Sequence, residues 1–243
     1  MRALLAAELL KLRTTRTFVA LVGVALGLSL LLLVLTTLLE HRFTEHDLRV
    51  LFAGDFTGLF ILLLGVMGIA GEWRHRTITS SVLAAPDRLR LLAAKLISYA
   101  VAGAVLSLIV TVTIMVVGTI ILSLRDKPTL DLVPLLDVLW RNLVGAAYLG
   151  AIGVCIGALL RNQVAALVGV LVVFVIVEPT LLGLVPKVGR FAPLQGAPSG
   201  LVGLGVNGDS ELLDATVAGL VMLGWLTVLF AAAGALLRGR DLT

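Results

Sequence analysis

The sequence predicts an all-α integral membrane protein with six transmembrane helices, and three observations support this prediction. Of the 243 residues, 59% are hydrophobic and only 14% are charged, whereas soluble domains contain roughly 25% charged residues. Six apolar runs approach or exceed the roughly 20 residues that cross a bilayer core as a helix. The charged residues lie mainly between these runs. A soluble fold cannot bury so much apolar surface, so the chain is expected to lie in a bilayer.

The apolar runs define the boundaries of the predicted spans. The spans cover residues 18–39, 56–71, 96–124, 143–160, 164–185 and 215–237. The second span is the shortest, and it begins nearer Leu51 if Asp55 faces protein or water. The first run is too long for a signal peptide and lacks a small-residue cleavage site, so we expect it to remain as a span. All six spans are assigned to one membrane domain.

The distribution of lysine and arginine predicts the orientation, because these residues are retained on the cytoplasmic side. Twelve of the 19 lie in the N-terminal segment, the second and fourth connections and the C-terminus, and the other seven lie on the opposite side. Both termini are therefore expected in the cytoplasm. The net charge of +4 belongs to this pattern and does not indicate a nucleic-acid partner.

Two segments outside the spans also have interpretable patterns. In residues 1–17, Leu5, Leu9 and Leu12 recur at helical spacing among basic residues. This favours a helix lying in the cytoplasmic interface over a simple basic flank. Residues 186–214 are rich in glycine and interrupted by prolines, and they form either a re-entrant element that caps an outer vestibule or a plain loop.

The connection from Glu72 to Lys95 is too polar to span the membrane and predicts a helical elbow in the cytoplasm. Thr77 can cap one short helix, Pro86 interrupts it, and Asp87 can cap the helix that leads into the third span. The elbow would have one apolar face and one basic face, suited to a groove on a soluble partner. An ordinary basic loop is the alternative. The apolar face contains Ile78, Val82 and Leu83, and the basic face contains Arg74, Arg76, Arg88 and Arg90.

Two carboxylates lie within or beside predicted spans, where an ionisable group is costly and therefore indicates function. Asp55 is at the outer end of the second span, and Glu178 is inside the fifth. Pro179 follows Glu178 and predicts a kink in the outer half of the membrane. These three residues are candidates for a pathway or gate. For Glu178 the alternative is a carboxyl that stays protonated or is satisfied by a neighbouring helix.

The chain lacks the motifs of several enzyme classes. All three histidines are in connections, so no span has the ligands of a typical metal site or a serine and histidine pair. The single cysteine, Cys155, excludes an intramolecular disulfide. No G-x-x-x-x-G-K-[ST] phosphate loop occurs, so we expect no ATP hydrolysis by this chain itself.

The elbow resembles the ABC-2 type permease family, the membrane subunits of ABC exporters. In that family E-x-R-x-x-T-(I/L), an apolar turn, a P-x-x-R stretch and a lysine lie between the second and third of six spans. The matching residues here are Glu72, Arg74, Thr77, Ile78, Val82, Leu83, Pro86, Arg90 or Arg88, and Lys95. The resemblance covers the elbow in detail and the remainder of the chain in layout.

The resemblance implies a half-transporter in the plasma membrane of a prokaryote. Two permease copies, identical or different, would form the pathway, and two separate ATPase subunits would bind the elbow as a coupling helix. ATP and Mg²⁺ would then be held by the ATPase subunits, with no cofactor in this chain. Residues 1–17 match the family's interfacial connecting helix, and the segment before the sixth span matches its outer re-entrant element.

Three other functions remain compatible with the same residues. A membrane scaffold would use the elbow to recruit a cytoplasmic partner and would transport nothing. A secondary transporter would use Asp55 and Glu178 to couple transport to an ion gradient. A membrane enzyme acting on lipid head groups would need His75 or Glu72, but no paired acid and base at a suitable spacing supports it.

Overall fold

The computed structural model describes residues 2–40, 42–74, 87–160, 162–203 and 212–239, and every regular element within these ranges is helical. In chain order the α-helices are α1 (Arg2–Thr14), α2 (Arg16–Leu39), α3 (Glu45–Ala53), α4 (Thr57–Arg74), α5 (Arg88–Leu124), α6 (Leu132–Leu159), α7 (Gln163–Val172), α8 (Glu178–Leu184), α9 (Pro186–Gly189), α10 (Gly196–Val202) and α11 (Ala215–Gly239). A π-helical segment, Val173–Val177, joins α7 to α8.

Within the described ranges, six helical stretches are long and apolar enough to cross a membrane. They are Thr17–Leu39, Glu45–Glu72, Arg88–Leu124, Leu132–Leu159, Gln163–Leu184 and Ala215–Arg238. The predicted all-α class and the six apolar helices are confirmed. The second stretch is longer than the predicted span because it includes α3, which starts at a capping box formed by Thr44 and Asp47.

The fourth span, α6, is the centre of the bundle. Of an 18-residue apolar stretch of α6, 72% is buried, whereas the corresponding value in the first span is 17%, so α2 lies at the periphery with much of its apolar surface outward. The helices α4 and α5 pack directly against α6. The outward side chains have the composition that a surrounding bilayer or a second membrane subunit requires.

Glycines allow α4 and α6 to approach closely. A Cβ on Gly153 would lie 2.5 Å from the carbonyl oxygen of Leu62, and one on Gly157 would lie 2.6 Å from that of Val66. Only glycine permits contacts of this kind between helix backbones. Gly23 and Gly27 of α2 have the same spacing, yet a Cβ there would meet nothing within 4 Å. The glycine pair of α6 therefore packs against α4, whereas the glycine pair of α2 lies on a face without a packed neighbour among the described residues.

Residues 75–86 of the predicted elbow lie outside the described residues. They include Arg76, Thr77, Ile78, Val82, Leu83 and Pro86. Both ends of the elbow are described. The helix α4 ends at Arg74, and α5 begins at Arg88 with Asp87 as its N-cap. The Asp87 carboxylate accepts hydrogen bonds from the backbone N–H groups of Leu89 and Arg90, which confirms the predicted cap.

Candidate functional site

A buried lysine lies at the base of the elbow. The Lys95 side chain is only 1% exposed. Its Nζ lies 2.9 Å from Oε2 of Glu8 in α1 and 2.7 Å from Oε1 of Glu72 at the end of α4. An ammonium group away from water is costly unless opposite charges and hydrogen bonds compensate it, and these two carboxylates supply both.

A second lysine completes what we call the ion cluster: Glu8, Lys11, Glu72 and Lys95. The Nζ atom of Lys11 lies 2.9 Å from Oε1 of Glu8 and 3.3 Å from Oε1 of Glu72. The two positive and two negative charges balance. Since the four side chains belong to α1, α4 and α5, the cluster ties the N-terminal helix to both helices that lead into the elbow.

One edge of the ion cluster is open. The Lys11 side chain is 55% exposed, in contrast to that of Lys95. A cavity of about 590 Å³ borders the cluster, with Tyr99 and Gln163 also in its wall. Gln163 is the first residue of α7, so this end of the bundle also includes the start of the fifth span.

The ion cluster makes stability dependent on acid pH. Burial alone raises the pKa of Glu8, but attraction and hydrogen bonds from Lys95 and Lys11 outweigh it and hold the pKa below its ordinary value of 4.5. Because the folded-state pKa is the lower one, the contribution of Glu8 to stability is complete above about pH 4.5 and is lost as the pH falls through the folded-state pKa.

We therefore expect the unfolding midpoint in detergent to fall as the pH is lowered from about 5 towards about 3, a range set by the ordinary pKa of a carboxyl group. Glu8→Gln should remove part of this acid dependence, while Glu45→Gln, at an exposed carboxylate in the ion pair with Arg49, should not. An unchanged acid slope in Glu8→Gln would contradict the assignment.

The second span is broken at Asp55. The backbone leaves helical geometry between α3 and α4, and three side chains compensate the freed groups. Ser29 Oγ accepts from the Phe56 N–H at 3.1 Å, Asp55 Oδ1 accepts from the Thr57 N–H at 2.9 Å, and Asn142 Nδ2 donates to the Ala53 carbonyl at 3.4 Å. Irregular backbone at membrane depth persists only with such internal partners.

The break lies well inside the apolar part of the bundle, since Ser29 is about halfway along α2. The other Asp55 oxygen, Oδ2, accepts from Thr111 Oγ1 at 3.2 Å, and Asn142 Nδ2 donates to the same Thr111 oxygen at 3.2 Å. Lys95 and Thr111 share α5 and are about 24 Å apart at 1.5 Å per residue. The Asp55 group and the ion cluster are therefore separate sites.

In the fifth span a π-helical segment lies just before Pro179, where the sequence predicts a kink. The Glu178 N–H donates to the Val173 carbonyl, five residues earlier. In this register the Phe174 carbonyl would pair with residue 179, which is a proline without an N–H. Gln195 Nε2 donates to that carbonyl instead, at 2.6 Å.

Glu178 itself clamps the segment between the fifth and sixth spans. Its carboxylate accepts hydrogen bonds from the backbone N–H groups of Leu194, Gln195 and Gly196, with both oxygens 3.0 Å from the Leu194 nitrogen. We call this the Glu178 clamp. It holds the turn before α10, and Tyr148 and Trp225 donate to the carbonyls of Pro193 and Phe191 in the same turn. Within residues 186–203 the segment is thus folded and tied to three spans.

The other predicted coupling residues have separate positions. Arg74 and Arg90 are exposed, and Arg90 pairs with Asp87 at 2.9 Å. Arg88 donates to the Leu237 carbonyl near the end of α11. Among the candidates with described positions, Glu72 and Lys95 pair directly, at 2.7 Å.

The sequence interpretation missed Glu8, Thr111 and Asn142. Glu8 is the only acidic residue in residues 1–17 and precedes Lys11 by one helical turn, which was a usable signal. Asn142 lies at the edge of an apolar run, and its partners belong to other helices. Local sequence contained no indication of those partners.

No known protein-family model matches the chain, and no curated protein sequence matches it. Among the residues with described positions, no group of three or more His, Cys, Asp or Glu side chains is placed to hold a metal ion. The ion cluster, the broken span and the Glu178 clamp are therefore the features from which a function is inferred.

Proposed function

We propose that the chain is the membrane-spanning permease subunit of an ABC exporter, coupled through the elbow to separate ATPase subunits. The main supporting observation is the direct pairing of Glu72 with Lys95 at 2.7 Å. These residues bracket the elbow and belong to the motif that resembles ABC-2 permeases. A buried ion pair at this position closes the base of the elbow, so force applied to the elbow acts on α4 and α5 together.

The ion cluster suggests how such force would spread. ATP-driven closure of the partner subunits pushes the elbow, and α4, α5 and α1 tilt as one unit because charged hydrogen bonds join them. The break in the second span lies at the start of α4, about 25 Å from Glu72 at 1.5 Å per residue. Its irregular backbone is where a tilt of α4 can be absorbed, as hinges in other proteins lie at the ends of helices. Two copies of the chain would enclose the pathway.

A second candidate function is an ion-coupled transporter. It is favoured by Asp55, because discontinuous helices with polar side chains at the break form the coupling sites of many such transporters. This candidate needs no ATPase.

A non-transporting scaffold would share the elbow contact but would recruit a partner without a phosphate loop.

The proposal is tested by isolating the tagged full-length chain in mild detergent from native membranes. We expect an ATPase with a phosphate loop to co-purify, and expect it to be lost on deletion of residues 77–83 and weakened by Arg74→Glu. Arg74 is exposed, so its reversal should leave folding intact. Glu72 is a poor test residue because it also belongs to the buried ion cluster.

Lys187→Glu provides a matched control, since Lys187 is exposed in α9 at the opposite end of the fifth span from Gln163. It should retain the ATPase. A wild-type chain that purifies without any ATPase would refute the exporter proposal, and a stoichiometric partner lacking a phosphate loop would favour a scaffold.

A further inference from the structure

A cavity of about 390 Å³ lies beside the break in the second span. It is bounded by the start of α4, by α6, by the π-helical segment and by α10, and its size is within the range of about 300–1,000 Å³ found for small-molecule sites. Its walls are mainly apolar and aromatic. They include Phe56, Leu59, Leu149, Phe174, Leu194 and Val202.

Asp55 places a negative charge in the wall of this cavity. Among the described residues that line it, Asp55 alone is ionisable, and Asn142, Gln195 and Ser199 are neutral. Each carboxylate oxygen of Asp55 accepts from a neutral donor, the Thr57 N–H or the Thr111 hydroxyl. A carboxylate has about four acceptor positions, so capacity for further N–H donors remains.

Asp55 differs from the other buried charged residues in the partners of its side chain. The Glu178 carboxylate is engaged by three backbone amides, and Lys95 is engaged by two carboxylates. Among the described residues, no lysine or arginine pairs with Asp55. Asp55 is half-buried, and its carboxylate is the one place in the cavity wall where a positive charge would find an opposite charge.

We propose that this cavity binds a lipophilic organic amine, with its ammonium group on Asp55 and its apolar body against the surrounding wall. A charge-assisted hydrogen bond in a site with little water is stronger than a neutral one. An anion of the same shape would be repelled, and a neutral alcohol would lack the charge interaction. Binding itself requires no ATPase; only the further step, that the amine is an export substrate, rests on the proposed function.

The test uses the full-length chain in lipid nanodiscs and tritiated propranolol, a lipophilic secondary amine, with empty nanodiscs subtracted. Saturable binding should be displaced by decylamine and far less by decanol or decanoate, which have the same chain length. Asp55→Asn should weaken binding by about tenfold or more, as expected for loss of a charged hydrogen-bond partner. Asp131→Asn is the matched control, because Asp131 is exposed and its side chain caps no backbone group.

Gly145→Leu tests the location independently of charge. Gly145 lines the cavity, and a Cβ there would meet only Val202, at 3.8 Å, so a larger side chain can occupy the cavity and should abolish binding. The decylamine and decanol competition uses the wild-type chain and holds even if a variant fails to fold. Absence of saturable binding, equal displacement by decanol, or unchanged affinity in Asp55→Asn would each overturn the proposal. None of these results bears on co-purification of an ATPase.

Discussion

Lys95→Met is expected to lower the free energy of unfolding by about 3–5 kcal/mol, the range for breaking a buried ion pair by removing one partner. Methionine keeps the length and apolar volume of the lysine stem. Without the lysine ammonium group, the negative charges of Glu8 and Glu72 repel each other, and the remaining partner is Lys11, whose side chain is 55% exposed. The measurement is reversible unfolding in mixed micelles, followed by helicity as SDS is added.

Arg90→Met is the matched control, because Arg90 also forms an ion pair at 2.9 Å but its side chain is 74% exposed. Its effect should be between about 0 and 1 kcal/mol. Adding Glu8→Gln to Lys95→Met should recover part of the loss, because one uncompensated charge is removed. If Lys95→Met were as mild as Arg90→Met, the ion cluster would have no structural role.

Glu178→Ala is the second change with a large expected effect. It removes the acceptor for the amides of Leu194, Gln195 and Gly196. Each buried N–H left without a partner costs about 1–3 kcal/mol, so α10 and the turn before it should detach well before the rest of the bundle unfolds. Hydrogen exchange in residues 191–202 should accelerate strongly, with little change in α4 or α6.

Thr180→Ala offers a control on the same helix. Thr180 is exposed, and its hydroxyl donates to the Ile176 carbonyl one turn earlier, so exchange in residues 191–202 should stay as in the wild type. Glu178→Gln should give an intermediate rate, since one acceptor oxygen remains. Equal exchange in wild type and Glu178→Ala would show that Tyr148 and Trp225 hold the turn without the clamp.

The spans were predictable because composition and length alone decide whether a helix can cross a bilayer. The Asp87 cap was predictable for a similar reason, since its partners are the amides of Leu89 and Arg90 next to it in the chain. Pro179 likewise indicated a local disturbance, although the sequence did not show that the helix would widen into a π turn before it.

Features that depend on distant partners could not be read from the sequence. The segment from Val50 to Leu64 is apolar apart from two glycines, Asp55 and Thr57. The break in it is maintained by Ser29 and Asn142 on other helices. The position of Glu178 in a span predicted either a role in a pathway or gate or a carboxyl satisfied by a neighbouring helix, and it gave no indication of the contacts with the turn before α10. Such pairings arise from helix packing, which local patterns do not specify.

The ion cluster has a consequence for biosynthesis that follows from the order of its members along the chain. Domains emerge from the ribosome N-terminus first, and both carboxylates that receive Lys95 precede it. The third span therefore enters the bilayer when its counter-charges are already in place. The broken span is in the opposite situation, since Thr111 and Asn142 are synthesised after Asp55. The end of α4 and α5 that carries the ion cluster is thus stabilised early during translation, and the break is completed only once the fourth span has been synthesised.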